Sequence, residues 1–569
     1  MASASTELGP LSYRAFFPFG SEAKLEYQGP PGYFFENAEI WAIGKVRLDN
    51  SKDLRARWSR PEASDLEVAS EVFLRLREGC VDHLRGDFAF VIKTKSDGAI
   101  FAARDHFGVR PFFYHLTEKG LSFSNSLAQL VQSEHVPQKL CEEWQINFLN
   151  GIYSPADSTI WQHIKRLPPA HILPLKNQPS PPRRYWQLQC PPERKLSEDE
   201  AIYGLREELF RAVECRLPAK GKKLACELSG GIDSTAVAGI AAHLRSGQDI
   251  HCFSHVMRTE DLQNPNMRDE RERILDFCKL HDLDPCLIDD EGQGLLDDLL
   301  RQCRILGTPP QVYTTLASLR LYERAAEPGC GVLFSGFGGD ECVSMRSPGT
   351  FLNEFAQKKR WRALLREMRA KQPNLWPLSL ARFILSYPFR SKERYFPQRN
   401  DPWYLLDERY RRHPSVGYAS NKNSFDRTLS LLPNRLHTAE RLEESVLSAE
   451  HFGLEYRYPL FDLQLIEYFL SLPVEFKLKT GLNRHLIRQA LDGITPDSIR
   501  LGIKEPGSTV PSTRRRQQRA RESKEIFFAD IPYLDKKRCE NFLSGNDLPR
   551  RAFTQYAYFL SAFHRSHEL

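Results

Sequence analysis

A short apolar stretch that runs into a glycine turn and then a helix constrains this chain most. Leu224–Leu228 predicts a buried strand, and the next residues are Ser229-Gly230-Gly231-Ile232-Asp233-Ser234-Thr235. Apolar residues then recur at the i, i+3, i+4, i+7 spacing of one buried helix face, namely Val237, Ile240, Ala241 and Leu244. Because the first N–H groups of a helix and its dipole attract negative charge, a strand, a glycine turn and a helix start together predict an anion site.

The residues of this turn indicate which anion is bound. Gly230 and Gly231 lack a Cβ, so the backbone can approach a phosphate closely, and Ser229 and Ser234 add hydroxyl donors. The Asp233 carboxylate suits a phosphate site only when a cation lies between them, which predicts ATP with Mg²⁺. A Walker loop is excluded, because no Gly-Lys-Ser/Thr follows. Ser-Gly-Gly alone is compatible with an ordinary turn, but the complete run resembles the pyrophosphate loop of the N-type ATP pyrophosphatases, which adenylate a substrate.

The composition is that of a globular protein and argues against a nucleic-acid-binding or membrane-spanning protein. A chain of 569 residues has room for two or more domains, and 41% hydrophobic with 27% charged residues is typical of a soluble globular protein. The net charge of +6 is spread over the chain and predicts no nucleic-acid partner. The absence of a signal-like N-terminus and of any run of 18 apolar residues predicts a cytoplasmic protein without a membrane span. The twelve cysteines have no zinc-like spacing and are expected to be buried and reduced.

The first part of the chain predicts an antiparallel sheet domain. Alternating or apolar segments lie at 39–46, 87–93, 99–103 and 112–116, separated by turn residues. Leu84–Phe90 and Ala103–Tyr114 resemble the N-terminal glutaminase domain of the asparagine synthetase family. The resemblance implies an α+β domain of the Ntn glutaminase type, followed by an α/β parallel-sheet ATP-pyrophosphatase domain with a helical C-terminal part.

The domain boundary is predicted near residue 190. A proline-rich connection at 177–192 is expected to be extended, and Ser197 with Glu200 predicts a capping box at the start of a helix. The predicted domains are therefore 1–190 and 191–569. Within the second, strands at 250–257 and 285–288 flank a helix at 269–280, and this alternation favours a parallel sheet with ligands at the carboxyl ends of its strands.

The first domain departs from its family at the nucleophile. Members that hydrolyse glutamine use a cysteine at the start of the chain, whereas here Ala2 follows Met1 and the first cysteine is Cys80. The glutamine-binding His-Arg-Gly-Pro-Asp type segment is also missing. We therefore expect this domain to be a scaffold without the nucleophilic cysteine and without glutaminase activity.

Three further segments match the synthetase half of the family. Gly331–Glu341 contains Ser335, Gly336 and Asp340, which the resemblance places around the nucleotide, with Asp340 sharing Mg²⁺ with Asp233. A helix cap after a tight turn is the alternative explanation for this segment.

The other two segments concern catalysis. Gly453–Asp462 resembles the family's Glu-x-Arg-x-Pro segment and makes Glu455 a catalytic candidate, although a buried Glu–Arg pair is often a structural brace. Lys504 matches the lysine that stabilises the anionic acyl intermediate, a role that suits a mobile positive charge.

Phe337 separates this chain from two branches of the family. Asparagine synthetases carry a glutamate at the matching position and beta-lactam synthetases a tyrosine, whereas phenylalanine cannot accept a proton. The 338–344 segment Gly-Gly-Asp-Glu-Cys-Val-Ser and the basic Lys358–Trp361 resemble the macrolactam synthetases of lasso peptide pathways, the lasso cyclases. The resemblance implies a precursor peptide as substrate, with a leader peptidase or leader-binding protein as a further partner.

Three alternatives stay open. The first two are an asparagine synthetase that uses free ammonia and an enzyme like the beta-lactam synthetases. The third is a non-catalytic scaffold. The scaffold is disfavoured because a dead nucleotide site has no need for the following set together: Ser229, Asp233, Ser234, Asp340 and Lys504.

Overall fold

The structure is a computed structural model with two successive architectures. It describes residues 9–20, 25–58, 60–152, 154–176, 178–245, 249–259, 262, 269–289, 294–311, 313–345, 348–386, 405–412, 423–432, 436–502, 528–529, 531–544 and 555–567. Antiparallel strands dominate the part before residue 190. Strands that alternate with helices follow, and helices alone form the C-terminal end of the described chain.

The first part contains two antiparallel sheets. Its strands are β1 (Arg14–Pro18), β2 (Glu26–Gln28), β3 (Phe34–Glu36), β4 (Ile40–Leu48), β5 (Gly86–Thr94), β6 (Ile100–Arg104), β7 (Phe113–Thr117), β8 (Gly120–Ser124), β9 (Lys165–Arg166), β10 (His171–Leu175) and β11 (Arg183–Arg184). Its helices are α1 (Ser51–Trp58), α2 (Asp65–Leu76), α3 (Leu127–Val131) and α4 (Glu142–Leu149). One sheet has the order β2-β1-β8-β7-β9 and the other β11-β10-β6-β5-β4-β3.

Strand β5 shows why the sheets are buried on both faces. Successive side chains of a strand point to opposite faces. Phe88 and Phe90 pack with the α2 residues Val72 and Phe73, whereas Val91 packs in the core shared with the other sheet. A helix layer and a second sheet thus cover the two faces, which explains the nearly continuous apolar run in an antiparallel strand.

The second part is built on a parallel sheet. Its strands are β12 (Leu224–Glu227), β13 (Ile250–His255), β14 (Pro285–Ile288), β15 (Val332–Phe334) and β16 (Glu455–Arg457), and a separate hairpin contains β17 (Leu478–Lys479) and β18 (Leu482–Asn483). Its helices are α5 (Glu198–Glu214), α6 (Ile232–Arg245), α7 (Arg271–His281), α8 (Leu295–Leu306), α9 (Tyr313–Ala326), α10 (Pro348–Gln357), α11 (Trp361–Lys371), α12 (Trp376–Ser386), α13 (Ser424–Leu431), α14 (Leu436–His451), α15 (Leu463–Ser471), α16 (Val474–Lys477), α17 (His485–Ala490) and α18 (Asp497–Arg500), followed by Lys536–Ser544 and Gln555–Ser566.

The order of the parallel sheet determines where a ligand meets it. The order is β14-β13-β12-β15-β16, so β12 lies in the centre. Cys226 pairs with Phe334 and Phe334 with Arg457, which brings the carboxyl ends of β12, β15 and β16 to one level. We call this level the carboxyl edge, and it is where open α/β sheets bind ligands.

The structure confirms the predicted fold class. The strands predicted at 39–46, 87–93, 99–103 and 112–116 are β4, β5, β6 and β7, with bounds that differ by one or two residues. The predicted capping box is present, because Ser197 Oγ accepts from the N–H of Glu200 and Glu200 Oε2 accepts from that of Ser197. Within the described ranges, no helix has the length and apolar character needed to cross a bilayer. The boundary near residue 190 stays a prediction.

The two parts are joined by buried charges. Helix α14 turns two glutamates toward the first part. Glu443 accepts from Arg166 Nε at 2.9 Å and pairs with Arg104 Nη2 at 3.2 Å. Glu450, whose side chain is 1% exposed, accepts from Lys45 Nζ at 2.5 Å. We call these contacts the interdomain ion pairs; the cations come from the first part and the carboxylates from the second.

A small, partly open pocket also lies between the two parts. It is lined by Asp49, Arg85, His106, Arg211, Arg216 and Asp462, among others. Asp49 and Asp462 lie near the Cys215 thiol, with ligand atoms of all three within 4.8 Å. Arg216 pairs with both carboxylates at 2.9 Å, Arg47 also pairs with Asp49, and Arg211 also pairs with Asp462, so protein cations already neutralise both negative charges.

Candidate active site

The Ser229–Ser234 turn lies at the carboxyl edge, between β12 and α6. Gly230 has a φ of +65°, and a Cβ there would lie 2.7 Å from the Glu270 side chain, so glycine suits this position on two grounds. Ser234 Oγ accepts from the N–H of Ser229 at 3.1 Å, and the two serine hydroxyls are 3.1 Å apart. Ser234 Oγ also donates to the carbonyl of Gly231 at 3.2 Å. These bonds hold the hydroxyl groups at the start of the helix.

A second turn packs directly on the first. It follows β15 and continues into a π-helical turn at Gly339–Val343. A Cβ on Gly336 would lie 2.5 Å from the backbone nitrogen of Ser234, and a Cβ on Gly339 would lie 2.3 Å from the Asp233 carboxyl carbon. Only glycine permits this close approach. The approach brings Asp340 beside Asp233.

Arg484 lies between the two aspartates. Its Nη2 donates to Asp233 Oδ2 at 3.0 Å and also to Asp340 Oδ1. Burial alone would lower the pKa of Arg484, but the charges of Asp233 and Asp340 raise it. Two carboxylates from neighbouring strand ends therefore already share one cation. This donor set fits Mg²⁺, which protein sites commonly hold through one or two carboxylates plus substrate phosphates.

Phe337 forms an aromatic wall at the carboxyl edge. It is partly buried and meets Tyr458 and Phe461 edge to face, with ring centroids 6.1 and 5.2 Å away. The Arg441 guanidinium lies 3.9 Å from the ring centroid, a cation–π contact. The N–H of Phe337 donates to Ser335 Oγ at 3.2 Å. Ser335 thus positions the turn that carries the wall.

Glu455 lies away from this edge. It begins β16 opposite Val332, three residues before Ser335 on the neighbouring strand, or about 10 Å along the sheet. Burial would raise the pKa of Glu455, but the charges of Arg110 and Arg457 hold it well below its usual range. A carboxylate paired with two arginines braces the interface, and a catalytic role for Glu455 stays a prediction. Lys504 lies outside the described residues.

Sequence reasoning missed two residues at the carboxyl edge. Arg484 has a φ of +62°, in the left-handed region, and precedes α17. Only the tertiary fold brings it to Asp233, 251 positions away. Glu227 ends the central strand β12 and accepts from Ser335 Oγ at 3.3 Å. A charged residue inside an otherwise apolar strand was the available signal for Glu227, because buried central strands are normally apolar throughout.

Comparison with known proteins covers both parts of the chain. The asparagine synthase family matches residues 204–567, and the glutamine amidotransferase domain family matches residues 34–186. The glutamine-hydrolysing asparagine synthetase 3 of Bacillus subtilis is 26% identical over 496 residues, which are 84% of this chain and 76% of that protein. The glutamine-hydrolysing asparagine synthetase 2 of the same organism is 25% identical, over 86% of this chain and 66% of that protein. Amidase chry2 of Gibberella zeae is 32% identical over 186 residues, which are 32% of this chain and 27% of the amidase.

Proposed function

This chain belongs to the asparagine synthase family and is an ATP-dependent carbon–nitrogen ligase that releases AMP and pyrophosphate, and on that premise we propose that it closes an internal amide ring in a precursor peptide. The activated group is the side-chain carboxylate of an Asp or Glu in the peptide. The amine is the N-terminus of the same peptide. The product is a macrolactam of the lasso peptide type.

The aromatic wall is the observation that carries this proposal. Phe337 can neither accept a proton nor orient ammonia, and its partly buried ring, backed by the buried Tyr458 and Phe461, suits a bulky apolar substrate better than free aspartate. Ring closure also needs the amine and the activated carboxyl held close together, and such positioning is a large part of the rate of a reaction of this kind.

The adenylation half-reaction is assigned to the two packed turns. Ser229 and Ser234 with the Gly230-Gly231 backbone orient the phosphates, and Ser335 with Gly336 lies opposite them. Asp233 and Asp340 would hold Mg²⁺, which neutralises phosphate charge while pyrophosphate leaves. Arg484 supplies a fixed positive charge at the same place.

The second half-reaction needs charge stabilisation at the acyl oxygen. We assign Lys504 to this task, because a lysine is a mobile point charge. Lys504→Ala should leave ATP–pyrophosphate exchange largely intact. It should raise the activation free energy of product formation by about 3–4 kcal/mol. Equal product rates in the variant and the wild type would remove this role.

The first domain, which we place at 1–190, is proposed to be a scaffold rather than a source of ammonia; the synthetase domain is then 191–569. Cys80, the first cysteine of the sequence, is fully buried, and burial raises the pKa of its thiol far above the usual range. A thiol of this kind is a poor nucleophile. The interdomain ion pairs support a structural role for the whole domain.

The test is an intact mass spectrum of the linear candidate peptide encoded beside the gene, incubated with the enzyme, ATP, Mg²⁺ and any partner protease or leader-binding protein. Loss of one water and resistance to aminopeptidase support the ring. Phe337→Ala should slow ring closure while ATP–pyrophosphate exchange continues, and Asp340→Asn is the inactive control.

A second candidate is ammonia-dependent asparagine synthesis. It is favoured by the match with the two Bacillus synthetases over most of this chain. If aspartate and ammonium give asparagine at a useful rate while the peptides stay linear, the macrolactam proposal is wrong and this second function takes its place.

A further inference from the structure

The central strand β12 ends in a carboxylate that contacts Ser335 of the candidate site. The Glu227 side chain is partly buried. Its Oε2 accepts from Ser335 Oγ at 3.3 Å and from the Tyr456 hydroxyl. Burial and the nearby charge of Glu227 raise the pKa of Tyr456, so the phenol keeps its proton and donates it in this hydrogen bond. Two hydroxyl donors therefore hold the carboxylate in a fixed orientation.

Strand register places this carboxylate at the carboxyl edge. Cys226, Phe334 and Arg457 are partners in the ladder, so the residues that follow them lie one level higher, at the carboxyl edge. These are Glu227, Ser335 and Tyr458. The Ser335 hydroxyl lies 3.3 Å from Glu227 Oε2 and 3.2 Å from the Phe337 nitrogen, and so joins the carboxylate to the aromatic wall.

Glu227 has no cation of its own among the residues that the structure describes, where no lysine or arginine pairs with it within 4.0 Å. Its neighbours Tyr322, Tyr456 and Tyr458 are phenols, and Arg441 is engaged with the Phe337 ring. Ser229, two positions later, begins the turn assigned to phosphate. A carboxylate beside a polyphosphate is repelled by it, and a partly buried negative charge without a counter-ion is unfavourable even when hydroxyl groups donate to it. A cationic or proton-donating group of the substrate would remove this cost.

We infer that Glu227 binds the attacking amine and accepts its proton when the amide forms. The inference rests on the proposed function in one respect only: the group that receives the acyl chain must be an amine. The neutral amine nitrogen attacks the acyl carbon of the acyl-adenylate and the C–N bond forms. The bond between the acyl carbon and the phosphate oxygen then breaks, AMP leaves, and the extra proton on nitrogen passes to the Glu227 carboxylate. The ligand class is therefore a primary amine, with ammonia as the smallest member.

The test compares Glu227→Gln with the exposed control Glu327→Gln. Glutamine has the same shape and can still accept from Ser335 and Tyr456, but it cannot take up a proton. Each protein receives ATP, Mg²⁺ and one of two carboxylate probes, L-aspartate or the linear candidate peptide. Activation is measured by ATP–pyrophosphate exchange. Amide formation is measured by mass spectrometry with ammonium or with the peptide's own amine.

We expect Glu227→Gln to keep exchange within about twofold of the wild type and to lose amide formation by ~10²-fold, the usual contribution of a general base. Hydroxylamine, a strong neutral nucleophile, should be acylated at a rate much closer to that of the wild type. Glu327→Gln should match the wild type in all three assays.

Two outcomes would overturn the inference. Unchanged amide formation in Glu227→Gln would show that another group takes the proton. An equal loss of exchange and of amide formation would assign Glu227 to adenylation or to folding instead. If only aspartate and ammonium react, the macrolactam proposal fails, while the comparison of the two variants still decides the role of Glu227.

Discussion

The interface between the two parts and the carboxyl edge use carboxylates in opposite ways. At the interface, Glu450 meets Lys45, and Glu455 lies between Arg110 and Arg457. At the carboxyl edge, Asp233 and Asp340 share the guanidinium of Arg484, and Glu227 has no cation of its own in the described part of the chain. A buried carboxylate that is matched by fixed cations is costly to unpair, whereas carboxylates gathered at the carboxyl edge of a sheet are suited to binding a cation together with substrate phosphates.

Removing Glu450 tests the matched side of this comparison. Glu450→Gln leaves Lys45 and Arg110 buried with one charge fewer, and loss of one partner of a buried pair typically costs about 3–5 kcal/mol. We expect the free energy of unfolding to fall by this amount in denaturant titrations. The double variant Lys45→Met with Glu450→Leu should recover much of the loss. A midpoint equal to that of the wild type in Glu450→Gln would show that the interdomain ion pairs contribute little.

Removing Asp233 or Asp340 tests the carboxyl edge. Asp233→Asn and Asp340→Asn should each slow ATP–pyrophosphate exchange by on the order of 10² or more, since a charge is lost from a site that must hold a cation and pyrophosphate. Stability should be unchanged, because Arg484 still has one carboxylate partner. The exposed Asp276→Asn is the matched control. Wild-type exchange in either site variant would mean that the cation site lies elsewhere.

His106, which is neutral in the folded protein, gives a pH test of the interface. Burial and the charge of Arg85 lower the pKa of His106 from 6.5 to about 4, while Asp49, Asp462, Arg211 and Arg216 line the same pocket. Below pH 6.5 the unfolded chain takes up a proton that the folded chain refuses, so stability is lost as the pH falls from 6.5 toward 4. The loss is about 2 kcal/mol at pH 5. The free energies of unfolding of the wild type and His106→Gln, measured at pH 7 and pH 5, check this. An equal change between the two pH values in both proteins would contradict it.

The smallest effect is expected at Tyr456. Tyr456→Phe removes one of the two hydroxyl donors to Glu227 and leaves the apolar ring in place. The change should slow amide formation by roughly tenfold, or about 1.5 kcal/mol, the lower range for a hydrogen bond to a charged group. ATP–pyrophosphate exchange should not change. A fall in both rates by the same factor would indicate a general disturbance of the sheet.

Local signals in the sequence determined what could be predicted. The Ser229–Ser234 turn, its flanking strand and helix, and the glycines at 336 and 339 follow from residue types that are neighbours in the chain. The antiparallel strands β4 to β7 follow from period-two patterns in the same way. The strands were confirmed within one or two residues, and helix α6 follows the turn as predicted.

Contacts between distant segments account for what was missed. Arg484 reaches Asp340 across 144 positions and begins α17 from a left-handed residue, for which no local pattern exists. The glutamates of α14 resemble a solvated helix face in sequence. They are buried because lysine and arginine side chains of the first part meet them. The distance of Glu455 from the carboxyl edge depends on the register between β15 and β16, and a sequence motif carries no information about register.

The contact between Lys45 and Glu450 joins residues 405 positions apart. A ribosome that adds roughly 5–20 residues each second needs about 20–80 s to pass from the first residue to the second. Until then the nascent first domain carries a row of cations that face solvent, because helix α14 has not yet been made. The domain that is synthesised first is therefore among the last to finish folding, and its cationic surface has to be kept from other anionic partners for most of the time that translation takes.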